Sequence, residues 1–452
     1  MVNKLHDGLT ISPDATLPDG TREVEIKGLF KKKLSFAEII RQLEFKFLRA
    51  LNKNFHLAVF KNQKFLSGEI LKTISSNRKN GPVVCVMAPW FEDPTLSKSE
   101  GYIRRVMEID RRVLDGFFRI YFYECPYHRV FRITADRLNS DVIYIRYNSR
   151  YKNQLRFIER IIAECDVCYS HSVLRIIPDA GPQIKKRWPD IFKGRPEHIL
   201  DVHGAAVEEG MIQDDPKTPY IAEAERLYFN SVGNVVVLSG SMSRYFTEKY
   251  DCADITFIIT PVISGDFASD DKAVLSKDGS PAVVYSGGCQ VWQNIPEIQH
   301  AVKSRLSYAD YYLYVTQPDV FMKFWGYGKV PANVLIKNGN HDEIQKTYQS
   351  AHYGFILRDD NTLNRVACPT KIMEYIQFGI IPIMKFADIG DFVKSGLNYI
   401  PVESFTDGIL PDETERRIMA RENLCLFNKL KSDYISAVCE LKALIKEDTK
   451  NK

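Results

Sequence analysis

Apolar and polar residues follow two different rhythms along this chain, and the change falls near Gly81. Upstream, Ile40, Leu43, Phe47 and Leu51 recur at helical spacing, with Lys46, Arg49 and Lys53 on other faces. Ser35 followed by Glu38 forms a capping box that opens this amphipathic helix. Residues 1–30 carry no clear periodicity and read as a loosely ordered lead-in. Beyond Gly81 come short apolar runs: Val83–Met87, Ile120–Tyr123, Val142–Ile145, Val167–Tyr169, Ile199–Val202 and Val235–Leu238. Helical patterns such as Tyr102–Leu114 and Gln154–Ala163 lie between them. This alternation predicts a parallel sheet with crossover helices.

The stretch 260–281 is rich in Asp, Ser, Gly and Lys and reads as a linker. After it the alternation restarts with Val283–Tyr285, Tyr312–Val315, Val334–Ile336, Gly354–Leu357 and Ile380–Met384, and residues 412–446 read as a long charged helix. The expected organisation is therefore α/β. A basic, partly helical extension occupies 1–80, one Rossmann-like unit 81–260, a linker 261–281, a second Rossmann-like unit 282–411, and a C-terminal helix 412–452.

Composition narrows the class only slightly. The hydrophobic content of 45% and charged content of 26% are those of an ordinary globular protein, not a disordered or fibrous one. No apolar run reaches the ~18 residues of a membrane span, and the first residues lack the apolar core of a secretory signal. Nine scattered cysteines do not form a disulfide framework, so a reduced, cytoplasmic setting is expected. Charge changes the picture more. Of a net +4, residues 22–79 hold 14 Lys/Arg against 5 Asp/Glu, a local +9. Such a segment is either a solvated helical face or a docking surface for an anionic partner.

Three places can carry chemistry. The strongest is Arg365–Met384, where Pro369 suits the first turn of a helix and Gly379 the position just past its end. Lys371 and Glu374 are three apart and share a face near that helix's N-terminus. Free N–H groups there favour a phosphate, a cation adds charge, and a carboxylate one turn in can accept two ribose hydroxyls. The same spacing also suits a surface Lys–Glu pair on an ordinary capped helix. Next is Tyr285–Gly288, after the first strand of the second unit, where Gly287 and Gly288 let backbone amides approach a diphosphate. The third is Asp201-Val202-His203-Gly204 at the C-terminal end of a predicted strand, where His203 can act as a base or donate to a sugar hydroxyl. A structural histidine in a turn is the plain alternative. Neither a G-x-G-x-x-G fingerprint nor a P-loop occurs, which argues against nicotinamide dehydrogenases and P-loop enzymes. Cys165 and Cys168 lie in a strand-like segment with no second pair and read as structural. Glu208-Glu209 and Asp359-Asp360 read as loop charges.

Taken in order, these places resemble the family-4 type of retaining glycosyltransferases with the GT-B fold, in patches from about residue 83 to 385. The carrying residues are Ser99-Glu100-Gly101-Tyr102 with Arg104 and Arg105, His203-Gly204, Val237-Leu238-Ser239, Pro261 through Asp266, the Tyr285–Gly288 turn, and Pro369, Lys371, Glu374, Tyr375 and Gly379. The chain departs from that pattern at Val366, where the family often has the first of two glutamates. It departs again at Cys289, Gln290 and Val291, where a basic residue usually follows the turn.

The resemblance implies a two-domain enzyme that moves a sugar from a nucleotide diphosphate donor to a polysaccharide or glycolipid precursor, with retention. It needs no cofactor and no metal. Gly287, Gly288, Arg358, Thr370, Lys371 and Glu374 would hold the donor, with Arg358 or Lys371 supplying the charge facing the phosphates. Gly101, Tyr102 and Gly204 would face the acceptor, and His203 would act on the transferred sugar. The expected partners are the nucleotide sugar and a saccharide or lipid-linked acceptor, with peripheral contact at the inner face of a membrane through the basic segment, and no nucleic acid. A nucleotide-sugar epimerase or a phosphorylase on the same scaffold, and a non-catalytic adaptor, are the rival readings; Asp201, Glu208 and Glu209 are the carboxylates an epimerase would use.

Overall fold

The computed structural model describes residues 9–10, 25–26, 67–93, 101–125, 133–148, 152–176, 192, 196–261, 281–326 and 329–447. The capping box at Ser35, the stripe from Ile40 to Leu51 and most of the linker, 262–280, lie outside them.

The first sheet has eight strands: β1 (Val83–Met87), β2 (Phe118–Glu124), β3 (Thr134–Arg137), β4 (Val142–Tyr147), β5 (Val167–His171), β6 (Glu197–Asp201), β7 (Asn234–Val237) and β8 (Thr256–Ile259). Their spatial order is β8-β7-β6-β5-β1-β2-β4-β3. Every pairing is parallel except β3 on β4. The second sheet has six strands: β9 (Ala282–Gly287), β10 (Asp310–Val315), β11 (Val334–Lys337), β12 (Tyr353–Ile356), β13 (Ile381–Met384) and β14 (Ile400–Pro401). They run in the order β11-β10-β9-β12-β13-β14, all parallel.

The apolar runs explain this layout. Val83–Met87 is buried at all five positions, and both faces of a parallel strand must be covered by helices. One face of β1 and its neighbours packs with Ile70 and Ile74, from a helix over 67–77, so the end of the basic segment belongs to the first unit's core. The other face joins a larger core that runs into the second unit.

Three further helices position the candidate site: α1 (Gly101–Ile109), α2 (Gly240–Tyr250) and α3 (Thr370–Gln377). A fourth, α4 (Glu413–Glu447), follows the second sheet yet lies against both units. Its Tyr434 hydroxyl lies 3.5 Å from Glu108, and the Arg112 guanidinium stands 5.9 Å from the Tyr434 ring centre. The seam between the units is polar at α2. Ser239 Oγ donates to the Val366 carbonyl at 2.9 Å, and Asp391 accepts from the Ser241 amide at 2.7 Å and from Arg244 at 2.6 Å.

In an open parallel sheet, ligands bind beyond the C-terminal strand ends where the strand order reverses. Here the reversals fall between β1 and β5 in the first sheet and between β9 and β12 in the second. The C-terminal ends of those strands and the segments that follow them carry Gly101, Tyr102 and His171 in one unit, and Gly287, Gly288 and Arg358 in the other.

Candidate functional site

On the first unit, Arg105 of α1, Tyr169 and His171 of β5, and His203 meet at Asp201, the last residue of β6. Asp201 is fully buried and accepts two hydrogen bonds from Arg105 of α1, at 3.1 and 3.2 Å, and one from the Tyr169 hydroxyl at 2.8 Å. Arg105 also donates to Thr260. Burial pushes the Asp201 carboxyl up, but Arg105, then His203 and His171, outweigh it and bring the pKa down to about 2. The carboxylate is thus ionised at neutral pH, and its charge is matched by a buried guanidinium.

His203 stands above this pair. Its Nε2 lies 3.7 Å from Asp201 and 3.1 Å from Nδ1 of His171, the last residue of β5. The Tyr102 ring, one residue into α1, packs 5.0 Å from the His203 ring. The imidazole is therefore held from three sides while its side chain stays 15% exposed. Gly101 and Gly204 border this group, and a Cβ at either would meet nothing within 4 Å, so neither is demanded by packing. His171, Asp201 and His203 offer ligand atoms within 4.8 Å of one another. A cation among them would have to compete with Arg105, which already engages both Asp201 oxygens.

The second unit is built differently. Lys371, the second residue of α3, is 8% exposed. Its ammonium donates to Gln293 Oε1 at 2.8 Å and lies 4.5 Å from the centre of the Tyr285 ring. Burial, and then the neighbouring Arg358, push it well below the usual lysine range. Among the described residues no carboxylate comes within ion-pair distance of it. Arg358, just past β12, donates to Asn364 at 3.3 Å, and burial lowers its guanidinium to about 10, still charged at neutral pH. Glu374 accepts from the Tyr348 hydroxyl at 3.0 Å and faces Arg104 of the first unit at 3.6 Å. Thr370 is the first residue of α3, beside Lys371.

Several sequence expectations are corrected here. Pro369 caps α3 from outside and is not in its first turn. Gly287 is the last residue of β9, so the turn begins at Gly288. The two glycines are not equivalent. A Cβ on Gly287 would stand 2.4 Å from Lys371 Nζ and 2.5 Å from its Cε, whereas the atoms nearest to one on Gly288 belong to the exposed, flexible Gln290 side chain. Gly287 thus makes room for the lysine. Glu208 and Glu209 sit in a helix (Ala206–Ile212), and Glu208 is committed to Lys249 at 2.8 Å. Asp359 and Asp360 pair with Lys385 and Arg365. Val366 is 4% exposed in the core. A cavity of about 410 Å³ in the seam, lined among others by Leu238, Ile259, Phe392 and Leu430, contains none of the residues expected to hold the donor or face the acceptor. The sequence reading named Arg105 only within the resemblance and did not single out His171, Gln293 or Tyr348. His171 alone left a signal, as a histidine at the end of a strand beside the one that precedes His203.

No family model matches the sequence, and no curated protein matches it. Among solved structures, sucrose-phosphate synthase from Thermosynechococcus elongatus aligns with a TM-score of 0.57 at 11% identity, over 82% of this chain and all of that one. The E. coli trehalose-6-phosphate structure bound with UDP-2-fluoro glucose aligns at 0.51 and 11% identity, over 80% and 98%. An alpha,alpha-trehalose-phosphate synthase from Burkholderia xenovorans, in complex with glucose-6-phosphate, aligns at 0.50 and 10% identity, over 80% and 98%. The chain has the GT-B fold of these proteins.

Proposed function

We propose that this chain is a nucleotide-sugar-dependent glycosyltransferase that transfers a sugar with retention from a nucleoside diphosphate to a saccharide acceptor. The carrying observation is the meeting of Lys371, Arg358 and Glu374 with Gly287 at the switch point of the second sheet. Two partly or fully buried cations with no ion-paired carboxylate among the described residues suit a diphosphate, and a carboxylate one helical turn away suits ribose hydroxyls. Fixed positive groups in a water-poor site stabilise a leaving diphosphate as its charge develops, so the proposed reaction uses no metal. His203, across the cleft, contacts the transferred sugar. The solved relatives bound to UDP-2-fluoro glucose and to glucose-6-phosphate support a uridine nucleotide and a phosphorylated sugar as first candidates.

A lipid-linked acceptor, and contact of the basic segment with the inner face of a membrane, are the finer part of this proposal. Among the described residues no helix is long and apolar enough to cross a membrane.

The test is a panel of nucleotide sugars with the purified protein, reading donor hydrolysis and transfer. Turnover of at least one donor is expected, and His203→Ala should cut it while nucleoside diphosphate still binds. Binding without any turnover would favour the adaptor reading, which the buried Val366 in place of a carboxylate supports.

A further inference from the structure

Arg104 and Arg105 are consecutive in α1, yet they serve opposite sides of the cleft. Arg105 turns inward to Asp201. Arg104 crosses to the second unit, where its Nη1 lies 3.6 Å from Glu374 Oε1 and its side chain stays 30% exposed. That distance is an ion pair without a close hydrogen bond, and pairs of this kind contribute little stability. It is a contact easily given up for a better one.

The second unit has a shortage that Arg104 can meet. Cys289, Gln290 and Val291 follow the Tyr285–Gly288 turn, so the segment after it brings no basic residue of its own, and Lys371 is the cation beside it. The cations the second unit does supply are engaged from within, Lys371 by Gln293 and Arg358 by Asn364. A guanidinium offers a planar fork of donors that matches phosphate oxygens, and it stays charged in a water-poor cleft.

We propose that Arg104 is a diphosphate-binding residue lent by the first unit to the second. Before the donor enters, the Glu374 carboxylate holds Arg104 in the place of the phosphate. When the donor enters, its ribose hydroxyls take Glu374 and its diphosphate takes Arg104, so one ligand replaces one ion pair with two contacts and draws the units together. This rests on the donor site proposed above.

The experiment measures binding of UDP, GDP and ADP, of the matching nucleosides, and of glucose 6-phosphate, to the wild-type chain and to Arg104→Gln and Arg104→Lys. For the diphosphate that binds best, Arg104→Gln should lose tenfold or more in affinity, about 1.4 kcal/mol. The matching nucleoside should bind as well or better, because Glu374 no longer pairs with Arg104. Arg104→Lys should fall between, since it keeps the charge and loses the fork. Equal weakening of nucleoside and diphosphate would overturn the inference, showing that Arg104 acts only by arranging the units. Unchanged diphosphate affinity with lost glucose 6-phosphate binding would also overturn it, assigning Arg104 to an acceptor phosphate. If the wild-type chain binds no diphosphate, the donor reading fails first and takes the inference with it.

Discussion

The two sides of the cleft handle charge in opposite ways. On the first unit, Asp201, Arg105, Tyr169, His171 and His203 form a network in which a buried carboxylate meets a buried guanidinium. On the second, Lys371 is buried against an aromatic ring and an amide, and burial pushes it well below the usual lysine range. A self-matched network holds a side chain in one orientation, as it does for His203. A buried cation without a matching carboxylate instead keeps an electrostatic cost that an incoming anion relieves. The contrast separates a side that fixes a side chain in place from a side whose charge is left for an anion to balance.

The largest effect should come from breaking the matched side. Asp201→Ala leaves Arg105 buried and uncompensated, and should destabilise the chain by about 3–5 kcal/mol. Equilibrium unfolding in denaturant measures this, and a loss below about 1 kcal/mol would show that the network is not the anchor described. On the receiving side, Glu374→Gln should weaken nucleoside diphosphate binding about ten- to a hundredfold, since a charged hydrogen bond contributes roughly 1.5–3 kcal/mol. Its melting temperature should stay near wild type. Gly287→Ala displaces the Lys371 ammonium and should cost about tenfold in the same affinity; calorimetry reads both.

A pH titration sharpens the contrast further. The folded pKa of Asp201 is about 2 against an ordinary 3.8, so its ionised form stabilises the fold. That contribution, about 2 kcal/mol, is fully present above pH ~4 and is lost as pH falls toward 2. Unfolding free energy followed across that window should show the loss in wild type and a flatter slope in Asp201→Asn. The smallest effect belongs to Gly288→Ala, which only has to move Gln290. It should change diphosphate affinity by less than about twofold, and a loss as large as that of Gly287→Ala would show that both glycines serve the phosphate.

The fold was legible where strands are buried on both faces, because such strands read as unbroken apolar runs. Val83–Met87 and Ile381–Met384 are of this kind. Thr134–Arg137 was not, since it is a half-exposed antiparallel edge strand carrying two charges in four residues. Thr256–Ile259 was hidden beside the linker pattern, for it too is an edge strand, with Ile259 44% exposed. In the site, Lys371, Glu374 and His203 were legible from helix and strand ends. Their supports were not. Arg105 lies 96 residues from Asp201, and Gln293 lies 78 from Lys371, separations that only the sheet topology brings together. Gly287 was legible as a glycine with a purpose, but its purpose is room for a lysine side chain.

The long helix Glu413–Glu447 has a consequence for synthesis. It covers surface on the first unit, yet it begins roughly 150 residues after that unit's last strand ends. At about 5–20 residues per second on the ribosome, the finished first sheet waits on the order of 10–30 s for its cover. Through that interval the surface around Arg112 and Glu108, later met by Tyr434, faces the cell. A shortened chain ending before residue 413 would leave that interval open for the protein's whole lifetime, and holdase chaperones would find it there.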